Sequence, residues 1–176
     1  PYVECMCGNV ICGRTDASKD FFTENGSFWS NNTSKLLSET TDAERQTRTR
    51  NRCNSEGYES VALFPLKAGH EILGLLQVND MRTRQFTDDT IQFLEDLGVN
   101  IGSAFARKLA KEALRESEEK YRSMMEAMKD AAYICSPEFR IDYMNPRMIS
   151  RTGRDAVGEL CHKAIYNSNE KCSWCV

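Results

Sequence analysis

Histidine is nearly missing from this 176-residue chain, which has only His70 and His162. A histidine-based hydrolase has too little to work with. No Gly-rich ATP-binding loop of the required form is present either, and no nucleophile–base pair stands out. Charge of one sign is lacking too: the net charge of −3 gives no argument for nucleic acid or a membrane surface. No apolar run approaches the ~18 residues of a spanning helix. The longest, around "VALFPL" and "ILGLL", are strand-sized, and the N-terminus carries no signal-peptide pattern.

What is present suits a packed core. Hydrophobic residues make up 40% and charged residues 28%, within the range of folded domains. The length fits one domain or two small ones. Pro1 and the closing "CSWCV" read as the cut ends of a longer protein.

Cysteine is the residue in excess, with eight. Cys5, Cys7, Cys12 and Cys53 come early, Cys161, Cys172 and Cys175 late, and Cys135 sits alone in an apolar strand pattern. In a reducing compartment such thiols are metal ligands, redox groups or plain structural residues. Cys5-x-Cys7 is shorter than the usual C-x2-C knuckle, although the early group totals the four thiolates that zinc or an iron–sulfur cluster takes. Loop cysteines with no ligand are the default. Cys53 follows Arg50 and Arg52, so it is the early thiol expected to ionise most readily. In the tail, Cys172-x2-Cys175 has metal-ligand spacing, and Cys161 or His162 would add to it.

Along the chain, residues 1–34 read as irregular and Thr41–Arg52 as a helix with Arg45, Arg48 and Arg52 on one face. Such a face is ordinarily solvated, or attracts an anion. "YESVALFPL" (58–66) and "HEILGLLQV" (70–78) read as a hairpin, with His70 exposed in the turn. Pro65 belongs at an edge or bulge, and Gly74 at a bulge or close backbone approach. From Thr87, an N-cap followed by Asp88 and Asp89, one long helix runs to about Met128. Its expected apolar face is Ile91, Leu94, Ile101, Phe105 and Leu109, with Gly98 and Gly102 spaced to admit another helix. Leu114, Tyr121, Met124 and Met128 continue as a narrow heptad-like seam. "AAYICSPEFRIDYMN" is a second hairpin turning at Ser136-Pro137; a helix opens at Pro146 and ends at Gly153, and another covers "AVGELCHKAIY".

These stretches carry a resemblance. "SVALFPLKAGHEILGLLQVND" resembles the paired central strands of GAF domains, and the helix from Thr87 their closing helix. "ESEEKYRSMMEAMKDAAYICSPEFRIDYMNPRMISRTG" resembles the entry into a PAS domain. The resemblance implies an α+β chain: residues 1–112 the later part of a GAF domain with an antiparallel sheet and flanking helices, 113–125 a linker helix, and 126–176 the first half of a PAS domain. This order is typical of prokaryotic multi-domain sensors, usually cytoplasmic histidine kinases, although no H-box is present. It implies a non-catalytic sensory and relay fragment, dimeric through the linker helix, without nucleic-acid or membrane contacts. An aromatic and polar set, Phe28, Trp29, Ser30, Asn31, Asn32, Tyr58 and Ser60, is expected to line its small-molecule pocket; Phe28 and Trp29 equally suit a plug over the core. The ligand and any cofactor are unassigned. Zinc and iron–sulfur remain open, as does haem, for which the chain has no C-x-x-C-H motif. The alternative class is a redox or metal module whose cysteines are themselves the sensor.

Overall fold

The computed structural model describes residues 4–46, 48 and 50–173, and divides the chain into two compact units, Pro1–Ala110 and Lys111–Val176. The first is built on an antiparallel sheet of β1 (Phe28–Ser30), β2 (Ser60–Ala68) and β3 (Glu71–Asp80), in that order. β2 and β3 form the expected hairpin, turning through Gly69 (φ 61°) and the exposed His70. The continuous apolar run of β2 follows from burial on both faces. Val61 and Leu63 join Met6, Val10, Phe21, Phe22 and Phe28 on one side. Ala62 and Phe64 join Phe86 and Ile91 on the other.

Pro65 lies on the middle strand and still meets the rule for proline. β1 pairs β2 only over Val61–Leu63, so Pro65 sits beyond its end, beside a register shift at Leu66/Lys67. Gly74 pairs Leu66 at the same irregularity, and a Cβ there would stand 3.3 Å from Leu66 Cδ1.

α4 (Asp88–Ala127) is a single helix of 40 residues. Thr87 Oγ1 accepts from Thr90 N–H at 3.3 Å, as an N-cap does. Its buried face matches the expected one only at the start: Ile91 and Leu94 pack on the core, but Glu95, Gly98 and Gly102 continue the buried face while Ile101, Phe105 and Leu109 are exposed. The glycines admit the sheet rather than a second helix. A Cβ on Gly98 would meet Pro65 O at 3.3 Å, and one on Gly102 would collide with the backbone of Lys67. Apolar spacing alone misleads here because the closest approach is to a backbone, which favours the absence of a side chain.

The region before β2 corrects two expectations. It contains α1 (Met6–Ile11), which packs on β2 and β3, and α2 (Thr33–Glu39), capped by Asn32 Oδ1 accepting from Lys35 N–H. Among the described residues, the helix expected over Thr41–Arg52 is only a turn, followed by the short α3 (Arg52–Ser55). Thr41 and Glu44 do form a reciprocal capping box, but Gln46, at φ 58°, ends the turn within residues 41–46.

The second unit contains the hairpin of β4 (Tyr133–Cys135) and β5 (Ile141–Met144), then α5 (Pro146–Thr152) and α6 (Cys161–Tyr166). Ile141, Met144, Met148, Ala156 and Cys161 form its core. Gly153 ends α5 in the left-handed conformation at φ 75°. Asn145 holds the unit together. Its Oδ1 accepts from Ala132 and Met148 N–H, while Nδ2 donates to the Asp130 and Met125 carbonyls.

Candidate functional site

The expected pocket residues divide among several tasks. Trp29, Ser30 and Asn31 line a groove of about 470 Å³ with Lys19, Glu39 and Glu44. It combines one aromatic wall with hydroxyl, amide and charged groups of both signs, a mix suited to a small polar ligand. Phe28 is buried in the core among Phe21 and Phe22, and Asn32 is occupied as the cap of α2. Ser60 is buried and donates to Arg82 O at 2.7 Å. Asn31 also exchanges hydrogen bonds with the Phe86 backbone, at 2.8 and 2.9 Å, so it fixes the connector between β3 and α4. Tyr58 lies elsewhere, beside the thiols.

Of the early cysteines, the fold gathers three. Cys7 Sγ contacts Gln77 Oε1 at 3.8 Å, and Gln77 Nε2 donates to Cys53 Sγ at 3.6 Å. Cys5 and Cys7 are hydrogen-bonded to each other. Cys12 takes no part: it is exposed at the C-terminal end of α1 and lines neither neighbouring cavity. One cavity, about 50 Å³ and apolar, adjoins all three gathered thiols on the core side. The other, about 370 Å³, lies between them and Arg50, Arg52 and Tyr58.

The ionisation order also departs from the expected one. Cys5 is held far below the ordinary thiol value, at about 5, because the Cys7 thiol donates to it; the N–H groups of Arg50, Met6 and Cys7 add to this. Cys7 is pushed up by the same bond and by burial. Burial and the nearby Cys5 raise Cys53 too, with the Gln77 donor opposing. Arg52, expected to favour the Cys53 thiolate, is an exposed side chain 3.9 Å from Glu56. The donors gathered around Cys5 therefore favour its thiolate.

Among the described residues no group of three or more His, Cys, Asp or Glu side chains is arranged to hold a metal ion. In the tail, Cys161 is buried in the core of its unit and Cys172 is half-buried. Cys175 lies outside the described residues.

Arg45 is a buried cation that its sequence context disguised. Only 6% exposed, it donates to the Thr40 carbonyl and hydroxyl and pairs with Asp42 at 2.8 Å. Its own carbonyl accepts from the buried Asn9 side chain at 2.8 Å. The expected arginine face therefore does not exist, since Arg45 is internal while Arg48 and Arg52 are exposed. Asn9 within an apolar stretch was the available hint of this buried polar link.

A three-stranded antiparallel sheet closed by a long helix is now in view, and the GAF domain family matches residues 21–105. That match covers just under half of the chain. GAF domains are regulatory and sensory rather than catalytic, and the matched stretch includes β1 to β3, Trp29, Ser30 and Asn31 of the groove, Cys53 and Asp88–Phe105 of α4. Two solved structures are similar to the chain. A GAF domain from a phosphoenolpyruvate-protein phosphotransferase of Coxiella burnetii aligns with a TM-score of 0.42 at 15% identity, covering 64% of this chain and 55% of that one. A domain described as that of a two-component sensor histidine kinase from Sinorhizobium meliloti 1021 aligns with a TM-score of 0.39 at 19% identity, covering 51% and 57%. The chain thus spans a little over half the length of each. No curated protein matches it. Among the described residues, no helix is long and apolar enough to cross a membrane.

Proposed function

We propose that the chain is a sensory input and relay segment of a cytoplasmic sensor histidine kinase, in which the GAF domain binds a small polar ligand. The observation that carries the relay is the continuity of α4. The helix is seated on β2 through Gly98 and Gly102 and runs unbroken to Ala127. In this reading a change in the packing of its first half is passed to its second half through the helix itself. The PAS reading of residues 126–176 is supported by the order of a two-stranded hairpin and a short helix entered at Asn145-Pro146.

The ligand groove is tested through Trp29. Thermal-shift screening against nucleotides, amino acids and organic acids should yield a compound that stabilises the protein. The same compound should change Trp29 emission, and Trp29→Ala should weaken its binding at least tenfold. Stabilisation that survives unchanged in Trp29→Ala would place the ligand elsewhere.

In this proposal the relay acts in a parallel homodimer. Leu114 and Tyr121, seven residues apart, are 61% and 62% exposed, and Met124 continues the seam. Burying them against a second copy removes apolar surface from water, at roughly 25 cal/mol per Å². Leu114→Asp should shift the dimer towards monomer in sedimentation equilibrium, since it places a charge in that seam. An unchanged dimer would rule out this seam as the interface.

A further inference from the structure

We propose that Cys5 and Cys53 form an oxidation-sensing thiol pair, in which a hydroperoxide oxidises Cys5 and Cys53 then closes a disulfide onto it. The proposal is independent of the ligand groove, because the thiols lie beside different cavities.

Three features of the fold converge on this pair. First, the thiols share one site: the Cys7 thiol bonds Cys5, its sulfur lies 3.8 Å from Gln77 Oε1, and the Gln77 amide donates to Cys53 at 3.6 Å. Gln77 stands on β3, so the rigid sheet sets the positions of both Cys7 and Cys53. Second, the Arg50 N–H donates to Cys5, which ties the segment that carries Cys53 directly to it. Third, the cavity of about 370 Å³ gives a small oxidant room beside all three sulfurs. The donors around Cys5 favour its thiolate, and a thiolate rather than a thiol attacks a peroxide.

The chemistry balances in two steps. The Cys5 thiolate attacks the nearer peroxide oxygen; an S–O bond forms, the O–O bond breaks, and the departing hydroxide or alkoxide takes a proton from water. The Cys53 sulfur then attacks the Cys5 sulfenic acid. An S–S bond forms, the S–O bond breaks, and the Cys53 proton leaves with the hydroxide as water. Two thiols have lost two electrons, and the peroxide has accepted them.

Cys53 is favoured over Cys7 as the second thiol on geometric grounds. Cys5 and Cys7 flank Met6 at the start of α1, where the Cys5 carbonyl accepts from the N–H groups of Gly8 and Asn9. A bridge between them would have to close across that turn. Cys53 belongs to a separate, short element, α3, that can shift without unwinding α1.

The test uses the whole reduced chain treated with near-stoichiometric hydrogen peroxide, then alkylated and mapped by peptide mass spectrometry. The expected product is a peptide linked through Cys5 and Cys53, with Cys12, Cys135 and Cys161 alkylated. Cys53→Ser should lose the linked peptide and instead leave Cys5 as a sulfenic acid that a cyclic 1,3-dione traps. Cys12→Ser should behave as the parent, and far-UV circular dichroism of each variant checks that it folds. A Cys5–Cys7 bridge, oxidation spread evenly over the cysteines, or no bridge at all in a folded parent protein would each overturn the proposal.

Discussion

Gly102→Ala is expected to destabilise the first unit by about 3 kcal/mol, at the upper end of what overpacking costs. The added Cβ would stand 2.6 Å from Lys67 N and closer still to Lys67 O, distances that no rotamer change relieves because both partners are backbone. α4 must lift from the sheet or β2 must bend. In α4 alone the same substitution would be favourable, by roughly 1 kcal/mol of helix propensity. Denaturant unfolding followed by amide hydrogen exchange in β2 and β3 measures the balance. Gly98→Ala is the internal control. Its Cβ would meet Pro65 O at 3.3 Å, which a few tenths of an ångström relieve, so the propensity gain should leave that variant near neutral. Equal effects of the two substitutions would show that α4 is not seated on β2 as described.

Asn145→Ala is expected to unfold the hairpin and α5 of the second unit with a loss of about 3 kcal/mol. Fully buried, Asn145 caps α5 through Met148 N–H, accepts from Ala132 N–H, and donates to the Asp130 and Met125 carbonyls. Loss of a cap alone costs about 1 kcal/mol, and each buried group left without a partner adds about 1 kcal/mol or more. Asn145→Asp keeps the acceptor but brings a carboxylate against two carbonyl oxygens, so it should not rescue the unit. Hydrogen exchange at residues 131–152 reads the result. Parental protection in Asn145→Ala would mean that the core around Ile141 and Met148 holds these elements without the amide.

Some of this protein was written in local pattern. The hairpin at β2 and β3 announced itself through two apolar runs and a Gly-containing turn, and α4 through Thr87, its acidic first turn and an unbroken helical composition. Asn145-Pro146 marked the start of α5 in the same way. Each of these signals acts within a few residues, where backbone sterics and capping decide the outcome. α2 was equally legible, since Asn32 caps it three residues before Lys35, but a stretch rich in Ser, Asn and Asp masked the signal.

Other properties are set by residues far apart in the chain. That Gly98 and Gly102 meet a strand, that Arg45 is internal, and that the thiolate is favoured at Cys5 rather than Cys53 all depend on partners brought from elsewhere. Arg50 and Arg52 made Cys53 look electropositive in sequence. In the fold, hydrogen bonds delivered to Cys5 outweigh a solvated charge, because donors at contact distance act undiluted while exposed charges are screened. The strands, the long helix and the caps could be read from residue order, because their causes are local. Which three of the four early cysteines share a site, and which thiolate is favoured, follows from burial and long-range hydrogen bonds that exist once the sheet has formed.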